Sequence, residues 1–436
     1  MIADPAEVSA TLSLTEAAGR TWDAVVVGAG PAGAVAAREL ARRRLTVLLV
    51  EKARFPRPKV CGGCLNGAAL AALDAVGLGD LPQRLGASPV RAVQFVANKR
   101  SASLSLPGGA AVSRFALDAA LAREAIASGV AFLPQTIASL DPLPPSAPAA
   151  SSAHAEEHSL RVVRLQQPTG EVRVSTRAVI AADGLAGRLA SDEPGFERSC
   201  SPDSYLGAGV VLENSSDWFP ADTIVMNAGR GGYVGLVRVE GGGIDVAAAL
   251  SPELVRTSGG LAAAAARILD ECGSPAKDAI EHAHFRGTPT LTRRLARTAG
   301  ERMFVLGDAA GYVEPFTGEG MAWALSSAAW LAPAAAQWLT EDARLADRGR
   351  DAGGERRETR RAFEQTWHAG LSRFAAHRTW TCRAVKQLLR RPALVGWAIR
   401  GIQIAPWLAS WAVAAVNAPA TSRDFAIPAV PRIGVP

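Results

Sequence analysis

The stretch WDAVVVGAGPAGAVAARELARRRLTVLLVEK, Trp22 to Lys52, decides the fold. An apolar run, a Gly-rich turn, an Ala-rich helix and a second apolar run ending in Glu51 compose a βαβ unit. The turn is Gly28-Ala29-Gly30-Pro31-Ala32-Gly33, and its place between strand and helix makes it more than a string match. Its glycines allow a tight turn and a close backbone approach to a pyrophosphate. The pyrophosphate would rest on the helix N-terminus, where free N–H groups and the helix dipole favour negative charge. Glu51 can accept hydrogen bonds from ribose hydroxyls, and an acid there suits an adenosine without a 2′-phosphate. Gly28, Gly30, Ala32, Gly33, Glu51 and the adjoining Lys52 are the first cofactor-binding candidates. An ordinary Gly turn of an α/β protein is the competing reading, and the complete βαβ context disfavours it.

Outward from this unit, VSRFALDAALAREAIASGVAFL reads as an amphipathic helix followed by a strand. The Pro-, Ser- and Ala-rich segment Asp141 to Ser159 reads as a surface loop. Val172 to Ala190 reads as a strand pair closing on an Asp-Gly turn. Between about Leu206 and Phe285, strand-like runs dominate around one helical stretch, LAAAAARILDE, which suggests a lobe built on an antiparallel sheet. ERMFVLGDAAGYVEPFTGEGMAWALSSAAW then returns to strand, turn and helix, so the first domain is discontinuous. The expected fold class is α/β: a Rossmann-like dinucleotide-binding domain, an antiparallel-sheet substrate lobe and a C-terminal helical region. The expected divisions are a disordered tail at 1–20, the first part of the dinucleotide-binding domain at 21–200 with a flexible loop at 141–159, the substrate-binding lobe at 201–295, the return of the first domain at 296–340, and the helical region at 341–436.

The 436 residues are 48% apolar and 20% charged, the composition of a globular chain. Lys+Arg exceed Asp+Glu by 47 to 41, a mild +6, and no basic cluster joins a reading motif, so nucleic acid is not an expected partner. Five cysteines, three of them isolated, point to a reducing compartment and a cytoplasmic location. The N-terminus lacks the positive start and apolar middle of a secretory signal. Ile404 to Val416 is too short, and too interrupted by Pro406 and Ser410, to span a membrane.

Four motifs stand in order along the chain: the first Gly-rich turn, KVCGG at Lys59 to Gly63, VIAADG at Val179 to Gly184, and VLGDAAGYVEPFTGEGMAWAL at Val305 to Leu325. Together they resemble FAD-dependent oxidoreductases of the geranylgeranyl-reductase branch of the aromatic-hydroxylase-like superfamily, over roughly Trp22 to Trp338. The resemblance implies that Asp308, beside Gly307, binds a hydroxyl on the ribityl or pyrophosphate side of FAD, a role that suits an acceptor-only carboxylate. It implies that Gly318-Glu319-Gly320 opens a helix whose N–H groups face the flavin pyrimidine carbonyl, where negative charge gathers on reduction. Pro315 and Phe316 would form the adjacent wall, with Phe316 and Tyr233 facing substrate. Arg114 would reach the FAD chain while Asp118 is structural. Asp183 is equally a turn former or a ligand. No second dinucleotide fingerprint is present, so NAD(P)H would dock transiently or a protein partner would supply electrons.

Cys61-Gly62-Gly63-Cys64 has three readings: half a zinc site, a redox dithiol, or a Gly-rich turn beside a cofactor. Zinc would need two further ligands, and His282 and His284 lie on a polar strand-like run, so no metal is expected. The resemblance places this turn across the flavin's active face. Cys61 matches the family cysteine, and Cys64 stands where many relatives carry glycine. Cys61, Gly62 and Gly63 are the catalytic candidates, with the Cys61 thiol available as a proton donor.

The expected reaction is hydride transfer to an activated or isoprenoid-type double bond of a hydrophobic small molecule. The alternative is monooxygenation of a polyketide or aromatic metabolite. The Trp-x-Trp-x-Ile-Pro signature of halogenases is absent, and a non-catalytic prenyl carrier would have lost the flavin motifs. Gly231-Gly232-Tyr233-Val234-Gly235-Leu236-Val237 is less aromatic than the matching strand of archaeal isoprenoid reductases, which weakens the case for a long prenyl substrate. The Trp-rich stretch near Pro392 to Val416 reads either as a packed helical subdomain or as an interfacial helix making peripheral membrane contact.

Overall fold

The computed structural model describes residues 6–142, 160–191, 193–213, 219–314, 319–348, 353–389 and 392–405, with backbone alone for 353, 376–389 and 392–394. Trp22–Val27 and Val47–Val50 are apolar and almost wholly buried, as strands covered on both faces of a parallel sheet must be. Across that sheet the order is Ala299–Gly300, Met303–Val305, Gly170–Ala181, Trp22–Val27, Val47–Val50, Ala131–Leu133. Every pair from Met303–Val305 to Ala131–Leu133 is parallel. From Trp22–Val27 the chain winds first towards Ala131–Leu133 and later, through Gly170–Ala181, to the opposite side. That reversal opens a crevice beyond the C-terminal end of the first strand, where the Gly28 turn sits.

The Pro31–Ala41 helix has Gly30 as its N-cap and Pro31 in its first turn, a position where the missing N–H costs nothing. Its small side chains let it pack closely between the Arg114–Ala127 helix and the long Glu319–Asp347 helix.

A second sheet runs in the order Arg286–Thr290, Leu206–Leu212, Ile244–Leu250, Gly232–Arg238, Thr223–Gly229, Ser88–Ala97, Arg100–Ala111, Cys64–Leu65. It is antiparallel except where Thr223–Gly229 meets Ser88–Ala97. One face is covered by the Leu261–Cys272 helix through Ala264, Ala265, Ile268 and Leu269. The other face turns towards the crevice.

Three expectations need correction. Residues 6–20 are ordered rather than a loose tail. Val8 is buried, Val8 N–H donates to Phe55 O at 2.9 Å, and a capped helix at Leu14–Ala18 accepts the Trp22 indole N–H on Ala17 O at 2.9 Å. The division at residue 201 is not where the sheets part, because Cys64–Leu65, Ser88–Ala97 and Arg100–Ala111 belong to the second sheet. Gly170–Ala181 is a single strand that pairs with Arg161–Gln167 instead of folding back on itself. The Asp141 to Ser159 loop lies outside the described residues beyond 142.

The Gly353–Leu389 helix docks through rings: Trp338 stacks on Phe363 at 5.3 Å, Trp330 stacks on Trp367 at 4.5 Å, and Phe304 meets both groups edge-on. Trp367 is therefore a core residue, whereas Trp397 on the Pro392–Ile404 helix is 68% exposed. Trp407 and Trp411 lie outside the described residues, as does the side chain of Trp380.

Candidate active site

At the switch point the backbone geometry explains two glycines of the first motif, Gly28 and Gly33. Gly28 has φ +104°, and a Cβ there would fall 2.4 Å from Ala182 O. A Cβ on Gly33 would fall 1.8 Å from Gly28 O, so only glycine lets helix and turn touch. Gly307, with φ +60°, makes the same close approach to the Ala32 side chain. Glu51 is buried and accepts from Ala29 N–H at 3.1 Å, Ala53 N–H at 3.1 Å and Arg57 at 3.4 Å. Carboxylate oxygens accept more than one donor, so room remains for a ribose hydroxyl.

Arg114 and Arg57 converge beside Gly30, with guanidinium nitrogens 3.5 and 3.7 Å from where its Cβ would be. Both are anchored on Asp118, which is fully buried. Burial works against the Arg114 charge, but Asp118 outweighs it and raises the pKa. Arg57 and Lys59 are the site residues that sequence reasoning missed; the signal was the basic spacing in PRPK, Pro56 to Lys59, a few residues beyond Glu51. Burial depresses Lys59, reinforced by Arg114 and Arg57.

Asp308 follows the Met303–Val305 strand on a short 3-10 turn, Gly307–Ala309. Its Oδ1 is buried without a hydrogen-bond partner, and burial pushes its carboxyl up to about 6 against the pull of Arg114 and Lys59. Asp183 lines the same crevice, but its Oδ2 accepts the Leu189 N–H at 3.0 Å and closes the turn, which favours the turn-former reading. Gly320 lines the crevice and Glu319 is buried at the start of the Glu319–Asp347 helix. Lys52 is exposed at the rim. Pro315, Phe316 and Gly318 lie outside the described residues.

The crevice continues into one cavity of about 1210 Å³. Its far wall is apolar, with Phe95, Leu104, Met226, Tyr233, Leu291 and Ile399 among its residues. Gly235 and Val237 line it as expected, and the aromatic surface comes from Tyr233 on that strand together with Phe95 and Tyr312 off it. Where the two ends meet lies the cysteine turn. Cys61 and Gly62 face the cavity. Gly63 does not: at φ +62° its backbone turns inward, its carbonyl accepts Val112 N–H at 2.9 Å, and a Cβ would sit 2.9 Å from Asp245 Oδ2. Its part is to shape the turn. The Cys64 thiol donates to Gly62 O at 3.1 Å. Burial raises both thiols; Arg114 opposes this at Cys61, while Cys61 itself adds to it at Cys64. Both are free, and no cluster of metal-ligating side chains occurs among the described residues.

These residues fit FAD. A turn in which Gly28 and Gly33 admit no Cβ lies at a helix N-terminus, two anchored guanidinium groups flank it, and a buried acceptor at Asp308 lacks the donor that a polyol hydroxyl would supply.

A family model described as FAD binding domain matches residues 21–360. Conditioned medium factor receptor 1 of Dictyostelium discoideum is 24% identical over 70% of this chain, and the match spans 61% of that protein's length. Digeranylgeranylglycerophospholipid reductase 2 of Methanopyrus kandleri is 27% identical over 74% of this chain and 78% of its own. Among solved structures, the flavin-dependent brominase Bmp2 superposes with a TM-score of 0.66 at 16% identity, covering 91% of this chain and 94% of that one, a likeness of fold alone. With its matched model, its cradle and its relatives agreeing, the chain belongs to the FAD binding domain family, within the FAD-dependent aromatic hydroxylase-like superfamily of oxidoreductases.

Proposed function

We propose that this oxidoreductase reduces an activated or isoprenoid-type double bond of a hydrophobic small molecule. The observation that carries the reading is the single cavity that joins the dinucleotide cradle, the Cys61 turn and an apolar wall. Bound FAD would supply two-electron chemistry, as hydride delivery when reduced. Glu51 and Asp308 would hold the cofactor's hydroxyls, and Arg57 and Arg114 its phosphates. The apolar wall excludes water from the reacting bond and holds substrate by burial. Cys61, kept as a thiol by its surroundings, carries a proton at Sγ on the cavity face, where a reduced double bond needs one.

The second reading, monooxygenation of a polyketide or aromatic ring, draws on the small residues Gly235, Ala247 and Ala249 in the cavity wall, which leave width for a ring system. Mass spectrometry of the product separates the two: gain of two hydrogens supports reduction, and gain of one oxygen atom overturns it. For the reductant, we propose transient docking of NAD(P)H or of an electron-carrying protein.

The Pro392–Ile404 helix turns Val395, Ala398, Ile399 and Ile402 into the cavity while Trp397 and Ile404 are exposed. Arg400 lies over the Trp397 ring at 5.7 Å. This pairing of Arg, Trp and aliphatic surface supports a cytoplasmic protein that touches a membrane surface peripherally. No described helix is long and apolar enough to cross a membrane.

A further inference from the structure

Between the Cys61 turn and the Pro392–Ile404 helix, the floor of the cavity is one row of residues across the second sheet. Ala247, Gly235, Met226 and Phe95 are register partners on four neighbouring strands, and all four line the cavity. The cysteine turn stands over the first of them, with the Cβ position of Gly62 3.7 Å from the Ala247 side chain. At the other end Phe95 packs with Val395 and Ile399 of the helix. Neighbouring strands lie about 4.8 Å apart, so the row runs about 14 Å from the turn to Phe95.

The middle of the row is a notch. Tyr233 and Val237, two residues before and after Gly235, project from the same face and also line the cavity. Gly235 has nothing to set between them, and Met226 takes the space: its Sδ lies 2.7 Å, and its Cε 3.5 Å, from where a Gly235 Cβ would be. Met226 lines the cavity yet is only 7% exposed, so its side chain lies along the floor instead of standing across it. An unbranched thioether with three rotatable bonds suits such a seat. Any side chain at 235 must displace it, and the open direction is up into the cavity.

We propose that this row is the substrate's path: the cavity takes one extended apolar chain that runs from the Cys61 turn over Met226 to Phe95, and the Gly235 notch, by holding the Met226 thioether down, sets the length of chain admitted. The class of ligand is a flexible amphiphile with its polar or reacting end at the turn. The reaction at that end rests on the reading above; the path does not.

The test uses the FAD-loaded protein and straight-chain alcohols from hexanol to dodecanol, with binding read from the change in flavin absorbance. In the wild type, affinity should rise about four-fold per added methylene through decanol, the gain for burying each one. An affinity that does not grow with chain length overturns the proposal. Gly235→Ala lifts Met226 into the path, so its rise should stop short of decanol. Gly235→Ala combined with Met226→Val should regain the wild-type range, because valine ends one atom short of the sulfur and alanine fills the notch in its place. Equal chain lengths in the wild type and Gly235→Ala overturn the proposal, as does a double variant that stays as restricted as the single one. FAD content and the thermal midpoint show that each variant is folded.

A second measurement needs no change at 235. The chain has four methionines, and Met226→Val identifies the Met226 resonance when their methyl groups are isotope-labelled. Decanol should move that resonance and leave the one from Met303, buried on the Met303–Val305 strand, in place. An unmoved Met226 resonance overturns the proposal. None of these readouts uses turnover, so a product that carries oxygen instead of two hydrogens fails the reductive reading alone.

Discussion

Arg114 grips Asp118 through two hydrogen bonds, Nε to Oδ1 at 2.7 Å and Nη2 to Oδ2 at 2.8 Å, and Arg57 shares the same carboxylate. One buried acid thus aims two cations at the Gly30 turn. Asp118→Ala should release both and leave them repelling each other, so FAD affinity should fall by roughly tenfold or more in a fluorescence titration. Arg114→Ala should lose less, since Arg57 remains in place. Equal retention in both variants would mean that the phosphates do not rely on this pair.

Asp308 gives FAD binding a pH signature. Its folded pKa of about 6 lies above the ordinary 3.8, so the cofactor-free protein loses stability as pH rises between those values. A hydroxyl donated by the cofactor favours the ionised form. The dissociation constant of FAD should therefore rise as pH falls through about 6 in the wild type and vary far less in Asp308→Asn. Glu51→Ala and Asp308→Ala should each cost about 1.5–3 kcal/mol of binding, read from the same titration.

The two cysteines have different tasks. Cys61→Ser should retain FAD while slowing turnover, because serine is a far weaker acid than a thiol. Cys64→Ser preserves a donor to the Gly62 carbonyl and should be close to wild type. Steady-state rates of the two variants check this; equal damage to both would point to a shared disulfide instead.

Gly370 lies where a Cβ would come within 2.7 Å of the Trp330 ring that stacks on Trp367. Gly370→Ala should push the ring stack apart and destabilise the protein by about 1–3 kcal/mol, seen as a lower thermal midpoint. An unchanged midpoint would show that the stack yields without cost.

Trp397→Ser with Ile404→Ser removes exposed apolar surface and leaves the cavity-lining face of that helix intact. Liposome flotation should show weaker association for the double variant. Equal flotation of both proteins would remove the peripheral-membrane reading.

Local order determined the cofactor end of this protein. Strand, Gly-rich turn, helix and Glu51 fall within 22–52, so Gly28, Gly30 and Gly33 were legible as a phosphate cradle from spacing alone. The turn at Asp308 was legible for the same reason, since strand and turn are consecutive. What only the tertiary structure decided lies between residues far apart in the chain. Cys64–Leu65 and the strands through Ser88–Ala111 read as part of the first domain, yet their hydrogen bonds run into the second sheet. The N-terminal residues read as a tail because they carry acidic residues and lack a continuous apolar stretch, and it is contact with Phe55 and Phe132 that orders them. Asp245 stands out least of all, a single acid within the apolar run Ile244–Leu250. Only the fold, by closing the Gly63 turn over it, makes it a buried carboxyl whose pKa is raised well above the ordinary value, by burial first and then by Glu240.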